Sequence, residues 1–353
     1  MFLFWLGFGI LWSAPACVVL ALVVRYYELR WRYLHHLVRI FQEKPLFIAP
    51  RGQPIPEAED VRFRTPDGLT LAGCYLRGVR PRRGVILFGL EFGSNRWSCL
   101  PYCEHLLEAG YDVFSFETRG QGDSECQPGY EPLQWVTDFE VSDAKAALAY
   151  LKGRPDADPH GVGFFGISKG AGAGLFAAVG DPHVRCCVTD GVFGVYTTLV
   201  PYMRHWFRIY NNRLLIQALI PTWYYGMVGL SGLRRVQRVR GCRFPLLEKV
   251  LPRLAPRPLL MIHGGADTYI KPEMARALFA RAQEPKELWV VEGAKHNQAL
   301  VTHGEEYRRR VREFFDKHLA QEGNLSQRRK ERKEEKNGQT EVAKDQRAAA
   351  LRF

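Results

Sequence analysis

The stretch "FFGISKGAG", Phe164–Gly172, places one serine between two glycines directly after an apolar run. Its spacing is G-x-S-x-G, with Gly166, Ser168 and Gly170 at the three fixed positions. A strand that turns sharply into a helix needs this pattern, because the tight turn leaves no room for a Cβ atom two residues on either side of the serine. The stretch therefore predicts a buried strand, a turn that carries Ser168, and a helix from Lys169.

Apolar, strand-like runs alternate with helix-like stretches over the chain from Val61 to about residue 319. The runs that we interpret as strands are VRFRT, LTLAGCYLR, GVILFGL, YDVFSFE, GVGFFGI, VRCCVTD, RPLLMIHG and KELWVVEG. The first two flank Pro66-Asp67-Gly68, which favours a turn between antiparallel strands. The alternation with helices indicates a parallel sheet covered on both faces. We therefore predict an α/β fold with a mostly parallel, eight-stranded sheet.

One long insertion interrupts the alternation after the strand that ends at Asp190. Residues 201–253 hold nine Arg and one Lys against a single acidic residue, Glu248, and Leu214–Leu230 carries no charge at all. We interpret residues 193–255 as a helical cap or lid. The segment is either packed on the core or lies at a bilayer surface.

The bilayer alternative assigns roles to aromatic and basic side chains of the cap. Trp223, Tyr224 and Tyr225 would lie at the level of the lipid headgroups, where amphipathic rings are enriched. Arginines would contact the phosphates. These arginines are Arg234, Arg235, Arg238 and Arg240.

The chain starts with 24 residues, Met1–Val24, that contain no charged side chain. As a helix they would extend about 36 Å, which is enough to cross a bilayer. Arg25, Arg30 and Arg32 follow at once, and the positive-inside rule then places the rest of the chain in the cytoplasm. Eight cysteines without a C-x-x-C pair agree with a reducing compartment. We therefore predict a single-pass membrane protein with a cytoplasmic catalytic domain.

These observations divide the chain into five parts. The parts are an anchor at 1–24, a basic juxtamembrane linker at 25–59, a core at 60–192 and 256–319, the cap at 193–255, and a disordered basic tail at 320–353. The net charge of +12 lies mainly beside apolar segments. Charge placed in this way favours anionic lipid headgroups over nucleic acid as a partner.

Acyl transfer at a serine requires a base, an acid that orients the base, and donors for the oxyanion. Asp267 follows the seventh predicted strand and His296 follows the eighth, and the ends of parallel strands meet at one edge of the sheet. We therefore expect Ser168, Asp267 and His296 to form a catalytic triad. Two alternatives stay open: Asp267 caps the next helix, or Asp190, which also ends a strand, is the acid.

From about residue 60 to 319 the chain resembles the α/β-hydrolase superfamily, close to its serine esterase, lipase and S33-type aminopeptidase branches. The stretches that carry the resemblance are GISKG, IHGGADTYIKPE, EGAKHNQ and FETRGQGDS. The resemblance implies an α/β-hydrolase fold and hydrolysis through Ser168, His296 and Asp267.

The chain departs from this family directly after the third strand. The usual His-Gly is absent, and GLEFGSN stands at Gly89–Asn95. The resemblance implies that the oxyanion donors are the backbone N–H groups of Phe92 and Lys169, with Glu91 in place of Phe92 as an open alternative. We expect the Glu91 side chain to point to solvent.

Together these features predict a membrane-anchored serine hydrolase. Its substrate would be a small-molecule or lipid-like carboxylic ester or thioester, and neither a cofactor nor a metal is expected. Two alternatives remain: an aminopeptidase or amidase that uses the same triad, and a non-catalytic scaffold that keeps the fold.

Overall fold

An eight-stranded sheet runs through the computed structural model, which describes residues 2–42, 51–210 and 222–320. The strands are β1 (Glu59–Arg64), β2 (Thr70–Leu76), β3 (Gly84–Gly89), β4 (Tyr111–Phe116), β5 (Val162–Ile167), β6 (Val184–Asp190), β7 (Leu259–Gly264) and β8 (Lys286–Val291). Their order in space is β1-β2-β4-β3-β5-β6-β7-β8. β2 pairs antiparallel with β1 and β4, and all other pairs are parallel. The predicted fold class is confirmed.

The burial of the strands explains why they are unbroken apolar runs in the sequence. Every residue of β3, β4 and β5 is buried, because helices cover both faces of the sheet at its centre. At the edge, β1 alternates between exposed and buried residues over its second half.

Helices cover the two faces of the sheet and form the cap. They are α1 (Phe2–Ile40), α2 (Leu100–Glu108), α3 (Asp138–Gly153), α4 (Ser168–Gly180), α5 (Val195–Tyr210), α6 (Thr222–Arg240), α7 (Leu247–Val250), α8 (Pro272–Phe279), α9 (Ala299–Thr302) and α10 (Gly304–His318). Successive residues of a strand point to opposite faces. Phe164 thus packs in the same apolar cluster as Leu148 of α3, and Phe165 in the same cluster as Phe315 of α10.

The cap contains α5 and α6, and the second half of α1 packs against α6. Tyr224 and Tyr225 are buried, and the Tyr224 hydroxyl donates to the Leu22 carbonyl at 2.9 Å. The bilayer alternative placed these two rings at the level of the lipid headgroups, and their burial in an apolar cluster with residues of α1 contradicts that placement. Trp223 is 54% exposed. Within the predicted apolar stretch, residues 214–221 lie outside the described part of the chain.

The predicted single-pass membrane anchor at 1–24 is contradicted. Within the described part of the chain, no helix combines the length and the apolar character that crossing a bilayer requires. The uncharged stretch is the first part of α1, which continues to Ile40, carries charged residues beyond Val24 and buries Leu29 in the apolar cluster of the cap. The predicted disordered tail is 320–353, and residues 321–353 of it lie outside the described residues. The division into domains stays a prediction.

Candidate active site

Ser168 lies at a sharp turn between β5 and α4. Its φ is +49°, in the left-handed region that non-glycine residues seldom adopt and that marks functional sites. A Cβ atom on Gly166 would lie 2.5 Å from the Ala171 Cα, and one on Gly170 would lie 2.3 Å from the Leu90 carbonyl oxygen. Both glycines of the motif are therefore required by close packing around the turn.

A chain of hydrogen bonds joins three side chains at the carboxyl edge of the sheet. Ser168 Oγ lies 3.0 Å from His296 Nε2, and His296 Nδ1 lies 2.6 Å from Asp267 Oδ2. In the neutral tautomer that this network favours, Nδ1–H donates to the carboxylate and Nε2 accepts from the serine hydroxyl. The arrangement can move a proton from Ser168 to His296 while Asp267 stabilises the resulting cation.

Asp267 combines two roles that the sequence left as alternatives. Its Oδ1 accepts from the backbone N–H groups of Tyr269 and Ile270, each at 2.8 Å. The carboxylate thereby stabilises the turn from Asp267 to Ile270. Its Oδ2 faces His296. The nearby His263 donates from Nε2 to the Ile270 carbonyl at 2.7 Å, and burial lowers the pKa of His263. Burial thus disfavours the charged form of His263 beside the carboxylate.

Asp190, the alternative acid, has a different hydrogen-bond partner. It is fully buried, and its Oδ2 accepts from the Tyr307 hydroxyl at 3.1 Å. Burial raises the pKa of Asp190 to about 7, against the opposing effect of the Tyr307 hydrogen bond. The structure therefore brings Asp267, and not Asp190, into contact with the imidazole.

The raised pKa of Asp190 predicts a pH dependence of stability. Between the ordinary carboxyl pKa and about 7, the folded chain binds more protons than the unfolded chain, so stability falls as pH rises. Asp190→Asn removes this titration. The difference in free energy of unfolding, variant minus wild type, should therefore be about 2–3 kcal/mol larger at pH 8 than at pH 5. Urea unfolding at both pH values measures the difference, and a difference that stays constant contradicts the assignment.

The loop Leu90–Ser94 follows β3 beside the turn at Ser168. The expectation that Glu91 points to solvent is wrong: its Oε2 accepts from Asn297 Nδ2 at 2.7 Å, and burial raises the pKa of the Glu91 carboxyl. Within the described residues, neither the Glu91 nor the Phe92 N–H donates to a protein acceptor. Both N–H groups therefore remain candidates for an oxyanion donor.

Lys169, directly after Ser168, uses its side chain in a buried ion pair. Its Nζ donates to Glu140 Oε1 at 2.8 Å, and both side chains are almost fully buried. Burial favours a raised pKa for Glu140, but the Lys169 charge and the hydrogen bonds from Lys169, Thr137 and Tyr130 outweigh it and lower the pKa. The Lys169 amine is thus committed to Glu140 and is a poor candidate for a base.

Sequence reasoning did not identify Glu140, Asn297 or Tyr307 as part of this site. Thr137-x-x-Glu140 is a helix-capping pattern, and the structure does show this capping box at the start of α3. Nothing in that pattern points to Lys169. Among the described residues, no group of three or more His, Cys, Asp or Glu side chains is placed to hold a metal ion.

The tight contact at Gly170 predicts a large cost for a single methyl group. In Gly170→Ala the new Cβ would meet the backbone of Gly89 and Leu90, which has to move, at a cost of about 2–3 kcal/mol in the free energy of unfolding. Gly153→Ala is the matched control, because a Cβ there meets no atom within 4 Å. Alanine at this helix end should be neutral or stabilise by up to about 1 kcal/mol. Equal unfolding midpoints in urea for the two variants would contradict the packing argument.

Comparison with known proteins identifies the family. The profile of the alpha/beta hydrolase family matches residues 88–313. The uncharacterized protein YfhR of Escherichia coli O157:H7 is 27% identical over 73% of this chain and 80% of its own. The polyketide transferase ATR5 of Stachybotrys chlorohalonatus is 26% identical over 74% of this chain and 97% of its own. The Pyrococcus furiosus esterase Pf2001 shares the fold, with a TM-score of 0.57 and 23% identity over 79% of this chain and all of its own. The chain belongs to the alpha/beta hydrolase family.

Proposed function

We propose that the chain is a serine hydrolase that cleaves a carboxylic ester or thioester through an acyl-enzyme. The observation that carries the proposal is the continuous hydrogen-bonded chain from Ser168 Oγ through His296 to Asp267. Membership of the alpha/beta hydrolase family supports a hydrolase in general terms. The structural likeness to an esterase concerns the fold and adds no argument about the substrate.

In the first half-reaction Ser168 Oγ attacks the carbonyl carbon of the substrate while His296 Nε2 takes the hydroxyl proton. The carbonyl oxygen becomes an oxyanion, which the backbone N–H groups of Lys169 and of Phe92 or Glu91 stabilise. The bond to the leaving alcohol or thiol then breaks, and His296 returns the proton to that group. Asp267 holds the imidazole tautomer and stabilises its positive form throughout.

In the second half-reaction water attacks the acyl-enzyme. His296 takes a proton from the water molecule, a second oxyanion forms in the same place, and the bond to Ser168 Oγ breaks. The proton passes to Ser168, which regenerates the hydroxyl, and the carboxylic acid leaves. Every proton in the cycle is therefore carried by His296.

An aromatic ring beside the proposed base favours an apolar acyl group. The Tyr269 ring packs edge-on against His296, with 5.3 Å between the ring centres. The Tyr202 hydroxyl of the cap helix α5 donates to the Tyr269 carbonyl, which joins the cap to the loop beside the site. The Glu91 carboxyl lies near His296, and in its ionised form it would disfavour an anionic substrate. We therefore propose an uncharged, apolar acyl group, which includes a lipid-like one.

Labelling with a fluorophosphonate, followed by kinetics on a substrate panel, tests this proposal. The panel holds p-nitrophenyl esters of increasing acyl length, a matching thioester, and an aminoacyl amide. We expect covalent labelling at Ser168 and the highest kcat/KM for an uncharged acyl ester. An absence of labelling in folded protein would contradict a serine hydrolase, and a preference for the amide would favour the aminopeptidase alternative.

A second candidate is transfer of the acyl group to an acceptor other than water, such as an alcohol, since one relative is a polyketide transferase. The acyl-enzyme would be the same, with the oxygen of an alcohol attacking in place of water and its proton passing to His296. Hydrolysis of an activated ester in the presence of methanol or glycerol separates the two. A new ester in the products would support transfer, and free acid alone would support hydrolysis.

A further inference from the structure

A long-range hydrogen bond ties the loop Leu90–Ser94 to the residue that directly follows His296. Asn297 Nδ2 donates to Glu91 Oε2 at 2.7 Å, although the two residues are 206 positions apart. Among the described residues Glu91 takes part in no ion pair. The hydrogen bond from Asn297 is therefore the polar contact that holds the Glu91 carboxyl group. The bond joins the loop of the proposed base to the loop that offers oxyanion donors.

The direction of the Asn297 side chain is set by its surroundings. Its φ of +55° lies in the left-handed region, which asparagine adopts more readily than most residues. On the other side of the amide the chain passes so close that a Cβ on Gly191 would lie 2.3 Å from Asn297 Oδ1. A carboxylate can only accept, so the amide presents its NH₂ group to Glu91 and leaves Oδ1 on the Gly191 side, where it has no hydrogen-bond partner among the described residues.

Phe92, the next residue of the same loop, contacts a different side chain. The Lys169 ammonium lies 5.5 Å from the centre of the Phe92 ring, and Glu140 holds that ammonium in place. Lys169 directly follows Ser168, as Asn297 directly follows His296. Two consecutive loop residues are thus held by the residues that follow the proposed nucleophile and the proposed base.

We propose that Asn297 is a positioning residue for the oxyanion hole. Through Glu91 it holds the loop Leu90–Ser94 in the place from which a backbone N–H donates to the oxyanion. This inference rests on the proposed serine hydrolase function. Asn297 contacts Glu91 rather than the reacting atoms, so its effect should fall on the transition state and not on substrate binding.

The test is Asn297→Asp, measured by steady-state kinetics on a p-nitrophenyl ester. Aspartate also tolerates a positive φ, so the backbone is spared while two carboxylates are brought face to face. Complete loss of an oxyanion donor costs about 100- to 1000-fold in kcat, and we expect displacement of the loop to cost about 10- to 100-fold. KM should change by less than about twofold, because the lost interaction belongs to the transition state. Affinity for a trifluoromethyl ketone inhibitor should fall in parallel.

A compensating change separates positioning from a general charge effect. In the double variant Asn297→Asp with Glu91→Gln, the new amide can donate to the new carboxylate, which restores the hydrogen bond with reversed polarity. We expect its kcat to return to within about threefold of wild type. Gln298→Glu is the matched control, since it adds the same charge one residue further on an exposed side chain. It should keep kcat within about twofold.

Several results would overturn the inference. One is a lower melting temperature in Asn297→Asp with an unchanged kcat, which is the mark of a purely structural role. Another is a double variant as impaired as the single one. If Asn297→Asp does not fold, Asn297→Gly removes the amide at a φ that suits glycine, and it must show the same loss of kcat. Turnover retained in Ser168→Ala would instead contradict the proposed function itself.

Discussion

Ser168→Ala is expected to abolish ester hydrolysis and fluorophosphonate labelling while the chain keeps its fold. The hydroxyl is the atom that bonds to the acyl group, and removing a serine nucleophile costs about a millionfold in kcat. The methyl group of alanine fits the space of the serine Cβ at the same φ, so the turn between β5 and α4 is preserved. Turnover by the purified variant, its labelling in a gel and its melting temperature measure the three parts of this prediction.

The matched control for this variant is Ser115→Ala. Ser115 is a second fully buried serine, and among the described residues its hydroxyl has no hydrogen-bond partner. It lies in β4, outside the proposed machinery, and its replacement should leave both labelling and kcat close to wild type. Residual activity of Ser168→Ala above about a thousandth of wild type would reject the nucleophile, because triad removal usually costs more.

Asp267→Asn should lower kcat by about 10⁴-fold. The local hydrogen bonds show why an isosteric change is so damaging. Asp267 Oδ1 accepts two backbone N–H groups, so the amide oxygen of asparagine must occupy that position. The NH₂ group then faces His296 Nδ1, which has to accept rather than donate. The ring proton moves to Nε2, and the imidazole can no longer take the proton of Ser168.

Asp190→Asn is the control for this prediction, since it changes a buried carboxyl at the end of the neighbouring strand. Asp190 accepts from Tyr307 rather than contacting His296, and the variant should keep most of its kcat. The acid role would pass to Asp190 if the two variants showed the reverse order of activities. Circular dichroism of both proteins verifies that the comparison is made between folded chains.

The sheet could be predicted from the sequence because its signals are local. Buried parallel strands require uninterrupted apolar runs, as in β5. Gly166 and Gly170 predict a turn at which a Cβ atom would collide with the backbone. The strand ends then place Ser168, Asp267 and His296 at one edge. The start of a helix depends on the residue that caps it: α3 begins at Asp138, directly after the capping residue Thr137.

The prediction of a membrane anchor at Met1–Val24 was wrong because an uncharged run can cross a bilayer or can belong to a longer helix that packs on the rest of the chain. The pattern of Met1–Val24 satisfies the length of a membrane span, but it does not say where its helix ends or what covers it. In the structure α1 continues to Ile40 and packs its second half against α6. Tyr224 therefore packs between α6 and α1. The residues next to Tyr224 in the sequence do not predict this contact.

The sequence by itself determined the alternation of strands and helices, the turn at Ser168 and the order of the three polar residues that meet at the sheet edge. Tertiary structure alone decided which carboxylate faces His296, that Glu91 bonds to Asn297, and that Lys169 is paired with Glu140. The reason is physical. Secondary structure and tight turns follow from periodic patterns and steric limits over a few residues. A hydrogen bond between residues far apart in the chain forms only after the sheet has brought the strand ends together. Such a bond requires no fixed spacing between its partners, so the sequence contains no pattern that predicts it.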